Sequence, residues 1–284
     1  MMKLLTNSAK INMTEMKNFT LLFIAFPFNI CYNCFEETKK YSYTHLFYTI
    51  CVTISITKFI NLQSFWGNIL IYITGDTHGD INVFNERRLG HLKKGDSLII
   101  TGDFGFIWDN SKEEIKNLKK LAKKKFDILF VEGAHENFER LKEFEEVPFH
   151  EGTARKIADN IYCLNRGELY LIEGYKIFTL GGGLPPEMDE AESSPSLPTD
   201  EELEYAIVNI EEQRHRLDVI ITHEAPASVK RMINRNASIN DLNIFLDTVM
   251  HNTLFQKWYF GSLHVDRQLS NQLICVFEDV HKIG

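Results

Sequence analysis

From residue 69 onward the chain repeats one device: a short apolar run, a polar cluster, then an amphipathic stretch. The runs at 69–74, 97–101, 127–131, 218–221 and 257–260 are rich in β-branched and aromatic residues, and they predict buried strands. Residues 81–92, 111–125, 138–146, 201–216 and 239–249 read as helices, with apolar positions on one face and charge on the other. Ser111 is placed to cap the second helix, which carries Glu113 and Glu114 early and lysines late, as the helix dipole favours. Between 157 and 183 the pattern shortens to runs at 161–164, 168–172 and 175–180, punctuated by Arg166-Gly167 and Glu173-Gly174, which reads as an antiparallel meander. A last strand is predicted at 273–277. The first two strands end about 27 residues apart, as in a β-α-β unit, so the class is α/β.

The polar clusters at the strand ends turn the reading from fold to chemistry. The first strand runs into Gly75-Asp76-Thr77-His78-Gly79-Asp80 and the second into Gly102-Asp103. The third runs into Glu132-Gly133-Ala134-His135-Glu136-Asn137, and later strands end at Thr222-His223 and Gly261-Ser262-Leu263-His264. In an extended segment residues i and i+2 point the same way, so Asp76 and His78 converge past the strand end. Parallel strands put their carboxyl ends at one sheet edge, where α/β folds collect ligands, and this brings Asp103 to the pair. Carboxylate oxygens and imidazole nitrogens together suit a divalent transition metal. His135 is a candidate acid or phosphate contact. Trp108, in the loop 104–109, reads as packing. Gly181-Gly182-Gly183 lacks the following Lys-Ser/Thr of a P-loop and reads as a tight bend. Residues 184–200, rich in Pro, Ser and Glu, read as a surface loop with the makings of a lid.

Residues 1–68 are a different kind of sequence. They hold six Lys, three Glu, no Asp and no Arg, a net of about +3, whereas the remainder has 25 basic and 36 acidic residues, about −11. Two apolar stretches, 20–31 and 46–60, stand out. The favoured reading is a start assigned too far upstream in an AT-rich gene, with the native start near residues 69–71. A membrane-anchored extension and a cleaved or interfacial segment are the alternatives. The expected organisation is thus an atypical extension over 1–68 and a catalytic domain over 69–284. The acidic balance of that domain argues against broad binding to long nucleic acid but admits a small phosphorylated substrate held through metal. The lysines of the second helix, Lys119, Lys120, Lys123, Lys124 and Lys125, read as a solvated face. The five cysteines, Cys31, Cys34, Cys51, Cys163 and Cys275, form no disulfide framework, which favours a reducing, cytoplasmic setting, membrane-associated only if the extension is genuine.

Together the motifs resemble those of the calcineurin-like metallophosphoesterases, of the small bacterial type. That signature runs D-x-H, G-D, G-N-H-[DE], a lone His and G-H-x-H. Here it stands as Asp76-Thr77-His78, Gly102-Asp103, Gly133-Ala134-His135-Glu136, His223 and Gly261-Ser262-Leu263-His264. The resemblance covers residues 69 to about 284 and implies a four-layer αββα sandwich with two mixed β-sheets. It implies a first metal held by Asp76, His78, Asp103 and His264, and a second metal shared through Asp103 and held by His223. The other two second-metal positions carry Ala134 and Ser262 in place of Asn and His. The second site is therefore expected to be weak unless substrate phosphate, Glu136, Asn137 or Glu224 supplements it. The resemblance implies hydrolysis of phosphate mono- or diesters by metal-activated hydroxide, with His135 protonating the leaving oxygen. Mn²⁺ or Fe is favoured and Zn²⁺ is the alternative. The competing expectation is a catalytically impaired relative that binds a phosphate group or a protein.

Overall fold

The computed structural model describes residues 69–185 and 194–283. The expectations for residues 1–68, and for the middle of the loop at 184–200, lie outside the described residues. Three apolar runs, β1 (Ile71–Thr74), β2 (Ser97–Ile100) and β3 (Asp127–Val131), lie side by side in parallel, Tyr72 beside Leu98 and Leu98 beside Ile128. Beyond β3 the sheet continues through β6 (Ile161–Leu164), parallel, and then β5 (Gly152–Ala158) and β4 (Glu146–Phe149), antiparallel. At the other edge β13 (His281–Ile283) pairs antiparallel with β1, giving seven strands in the order β13-β1-β2-β3-β6-β5-β4. A second sheet holds β7 (Glu168–Ile172), β8 (Tyr175–Leu180), β9 (Arg216–Thr222), β10 (Leu254–Phe260), β11 (Arg267–Gln268) and β12 (Leu273–Cys275). Its order is β11-β12-β10-β9-β8-β7, with β8, β9, β10 and β12 running parallel.

Strand alternation sorts the side chains into three apolar layers. Ile71, Ile73, Ile99, Leu129 and Val131 of the first sheet meet Ile177, Val219, Ile221 and Tyr259 of the second. The opposite face of the first sheet, Tyr72, Leu98, Ile100, Ile128 and Phe130, packs under Leu89, Leu92, Leu121 and Leu141. These come from α1 (Glu86–Leu89), the turn after it, α2 (Lys112–Leu121) and α3 (Phe138–Leu141). On the far side Phe178, Ile220, Trp258 and Phe260 pack under α4 (Asp200–Glu212), α5 (Ala227–Ile233) and α6 (Asp241–Asn252) through Ala206, Ile210, Val229, Leu242 and Leu246. This is the expected α/β arrangement: helices, sheet, sheet, helices.

Four local readings change. The helix expected over 81–92 is a 3-10 turn, Ile81–Phe84, followed by α1, because Asn85 sits extended between them and accepts from the Arg88 amide. The helix expected to reach 146 stops at Leu141, and Glu146 opens an edge strand whose Pro148 needs no ladder donor. The expected meander is divided: β6 joins the first sheet, while β7 and β8 form a hairpin in the second. The final expected strand ends at Cys275, and the separate β13 closes the first sheet.

Candidate metal centre

The carboxyl ends of β1, β2 and β3 in one sheet, and of β9 and β10 in the other, supply the site. The loops after β1 and β2 are joined by backbone bonds: the Asp103 carbonyl accepts from the Thr77 and His78 amides at 3.2 and 2.8 Å, and the Phe104 carbonyl from Gly79 at 3.0 Å. His78 lies at φ 45°, so it reaches the site through a left-handed turn and not through the extended alternation expected from the spacing. Asp103, Ser262 and His264 share that backbone region, at φ 44°, 62° and 50°. Each such residue costs on the order of 1–3 kcal/mol and persists where surrounding structure enforces it, a pattern that concentrates at functional sites. The motif glycines make room for the side chains of other motifs. A Cβ on Gly133 would stand 2.0 Å from Asp103 Oδ1, one on Gly261 2.3 Å from Asp76 Oδ1, and one on Gly102 2.1 Å from His223 Nδ1.

Four groups converge. His264 Nε2 stands 3.1 Å from Asp76 Oδ2 and 3.1 Å from His78 Nε2, and His78 Nδ1 is 3.9 Å from Asp103 Oδ2. The carboxylates of Asp76 and Asp103 are buried, whereas the His78 and His264 rings open to solvent. One ligand atom from each of Asp76, His78, Asp103 and His264 lies within 4.8 Å of all the others, so these four could hold an ion. Burial works to raise the Asp76 carboxyl, but the His223 and His264 rings beside it hold it down to about 2. Burial works against charge on His223, and Asp76, with Asp103 and Glu224, raises it to about 10. The hydrogen bond to Asp76 likewise raises His264.

The donor set fits a divalent ion. Two donors ~2.1 Å from one ion, at angles between octahedral and tetrahedral, stand about 3.0–3.4 Å apart. The 3.1 Å spacings of His264 from His78 and from Asp76 match that. Asp76 Oδ1 is buried and lacks a close hydrogen bond among the described residues, its neighbour being His223 Nδ1 at 3.6 Å, an arrangement compatible with a cation nearby. Among the described residues, the opposite half of the site does not offer a second complete set. His223 Nδ1 is held by the Thr101 carbonyl at 3.0 Å, and its Nε2 faces Asp103 Oδ1 at 3.9 Å. Ala134 has no donor atom. The Ser262 hydroxyl donates to Glu224 Oε1 at 3.1 Å, while Glu224 Oε2 takes the Lys230 ammonium and the Asn243 amide, each at 2.8 Å. The residues that could supplement the second site are thereby committed elsewhere. Glu136 accepts from the Phe104 and Gly105 amides at 2.7 and 3.5 Å, with burial raising its carboxyl to about 8. Asn137 caps α3 through the Arg140 amide and donates to the Trp108 carbonyl at 2.5 Å. The Glu224–Lys230–Asn243–Ser262 cluster escapes sequence reading, because nothing in the pattern links residues 224, 230 and 243 before α5 and α6 are seen to pack together.

His135 lies on the same side. Its amide donates to Asp103 Oδ1 at 2.7 Å and its Nδ1 faces Asp103 Oδ2 at 3.2 Å, so Asp103 fixes both the backbone and the ring. A second acid–imidazole group, Asp266, Asp279 and His281, is a loop clamp: Asp266 accepts from the Phe277, Glu278 and Asp279 amides.

These elements define a two-sheet α/β sandwich with a cluster able to hold a divalent ion at its strand ends. A profile of the calcineurin-like phosphoesterases matches residues 69–267, and the chain belongs to that family. No curated protein matches the chain. Among solved structures, a protein of unknown function from Aquifex aeolicus is 17% identical, covering 64% of this chain and 94% of its own, with a TM-score of 0.32. A protein serine/threonine phosphatase from Saccharomyces cerevisiae is 12% identical, covering 76% and 69%, with a TM-score of 0.30. Both are too distant to carry function to this chain.

Proposed function

We propose that the chain is a metal-dependent phosphoesterase acting on small phosphate mono- or diesters, with one firmly held ion at Asp76, His78, Asp103 and His264. The observation that carries this reading is the convergence of those four donors, whose ligand atoms lie within 4.8 Å of one another, with His264 Nε2 3.1 Å from both Asp76 Oδ2 and His78 Nε2. A bound divalent ion supplies charge stabilisation for the phosphoryl oxygens and lowers the pKa of water. The oxygen–nitrogen donor set favours Mn²⁺ or Fe, with Zn²⁺ as the alternative. Asp76 and Asp103 bring negative charge to balance the ion. Asp103 also orients the His135 ring, the group to pass a proton to the leaving oxygen. The Gly-lined turns let the carboxylates approach without a Cβ between them.

Ala134, and the engagement of Ser262 with Glu224, favour a second reading, a relative that binds a phosphate group without turning it over. Turnover of bis-p-nitrophenyl phosphate with Mn²⁺, with metal content measured on the same sample, separates the two. Hydrolysis that falls about 10²–10⁴-fold in His135→Ala is the expected result. One metal per chain with no turnover of this ester or of p-nitrophenyl phosphate would establish the binding reading instead.

A further inference from the structure

The sequence pattern places Trp108 in packing, yet it is 52% exposed, while its loop neighbours Phe104, Phe106 and Ile107 are buried. Single exposed apolar residues are ordinary, and Met232 and Leu254 are exposed here too. What sets Trp108 apart is the way its backbone is held. The amides of Trp108, Asp109 and Asn110 all donate to one buried oxygen, Glu114 Oε2, at 2.8, 2.8 and 2.9 Å. Arg140 anchors the other oxygen of that carboxylate at 2.5 Å. The Trp108 carbonyl accepts from Asn137, two residues past His135. Nearer the site, Glu136 fastens the Phe104 and Gly105 amides, and the Gly79 and Thr77 side of the first motif bonds the Phe104 carbonyl. The loop thus runs between the two motif loops that carry His78 and His135, whose rings are 42% and 40% exposed.

From this placement we propose that Trp108 is a specificity-determining residue, a stacking platform for a planar base on the ester, and that the substrates are nucleobase-bearing phosphates. An indole on a clamped backbone loses little freedom when a ring stacks on it, and stacking of a base on an aromatic side chain is strong enough to set preference. The clamp of Glu114, Arg140 and Asn137 gives the platform a fixed position without contributing a polar atom to the phosphate. The proposal rests on the phosphoesterase reading for the position of the phosphate, but its test does not require turnover.

Affinities of adenosine monophosphate and glycerol phosphate are measured on the Mn²⁺-loaded full chain by calorimetry, in the wild type, Trp108→Phe and Trp108→Ala. The wild type is expected to prefer the adenosine ester. That preference is expected to fall about tenfold or more in Trp108→Ala and to survive in large part in Trp108→Phe. Adenosine monophosphate should also quench indole emission in the wild type and not in Trp108→Phe. Equal wild-type affinity for the two esters, no adenosine monophosphate binding, or a preference unchanged in Trp108→Ala would overturn the proposal. Binding without hydrolysis would count against the phosphoesterase reading alone.

Discussion

Asp103 and Asp76 each occupy space that a methyl group on a neighbouring motif would take. Gly133→Ala is therefore expected to push Asp103 aside. The expected outcome is a loss of about 1–3 kcal/mol in metal-free thermal unfolding, together with loss of tight Mn²⁺ binding by calorimetry. Gly174, whose Cβ would meet nothing within 4 Å, is the comparison position for metal binding. On the opposite half, the pair Ala134→Asn and Ser262→His restores the missing donors and releases Glu224 from the Ser262 hydroxyl. Metal content is expected to rise from one to two ions per chain, measured by elemental analysis. At this scale much is legible in the sequence: Asp76, His78, Asp103, His135, His223 and His264 all lie past the carboxyl ends of strands, the first four from one sheet and the last two from the other. The route by which they arrive is not. The spacing of Asp76 and His78 suggests an extended strand, whereas His78 turns left-handed because its amide is captured by the Asp103 carbonyl from a different strand. A bond between residues 78 and 103 leaves no local trace in sequence.

Among the elements, α2 begins on a buried carboxylate. Glu114 sits in its first turn, where Ser111 caps it, and gathers three loop amides and Arg140. Burial works to raise the Glu114 carboxyl; the Trp108 amide, Arg140 and the Asn110 and Asp109 amides outweigh it and hold it below its ordinary value. A carboxyl depressed in the folded state contributes stability that is present above its unfolded pKa and lost as pH falls through the folded value. Glu114→Gln is expected to flatten the acid side of the urea-unfolding profile, and Glu114→Ala to cost about 3 kcal/mol at neutral pH by leaving Arg140 unpaired. The strands legible in the sequence are those with apolar runs, β1, β2, β3, β9 and β10, and the short runs of β6, β7 and β8, whose bounds match the expected ones. Those that escape it are the edge strand β4, with alternating exposure, Pro148 and Glu146, and its neighbour β5, half-buried along most of its length and carrying charges such as Arg155. Edge strands carry these features to resist pairing with other chains, and the same features make them read as loop. The helix α5 also escapes, because seven residues following Pro226 give too short a window for a helical period.

Across the whole molecule, β13 completes a sheet that begins with β1. Ile283 pairs with Ile71 and enters the layer between the sheets with Ile73, Tyr259 and Val276. Without it, β1 would be a bare apolar edge. A chain stopped after Asp279 is expected to show a lower unfolding temperature and to aggregate in light scattering, while one stopped after Ile283 is expected to behave as the full chain does. The four layers themselves are readable only through family likeness, because periodicity names strands without saying which sheet takes them; the divided meander at β6 and β7 is the instance.

The β1–β13 pairing also sets an order of events on the ribosome. The strand made first in the described domain waits for the one made last, and His264 joins Asp76 and His78 only when β10 has emerged. A nascent chain arrested before residue 281 is expected to remain open to proteases along β1, and the sheet closes only once that last strand is free to pair.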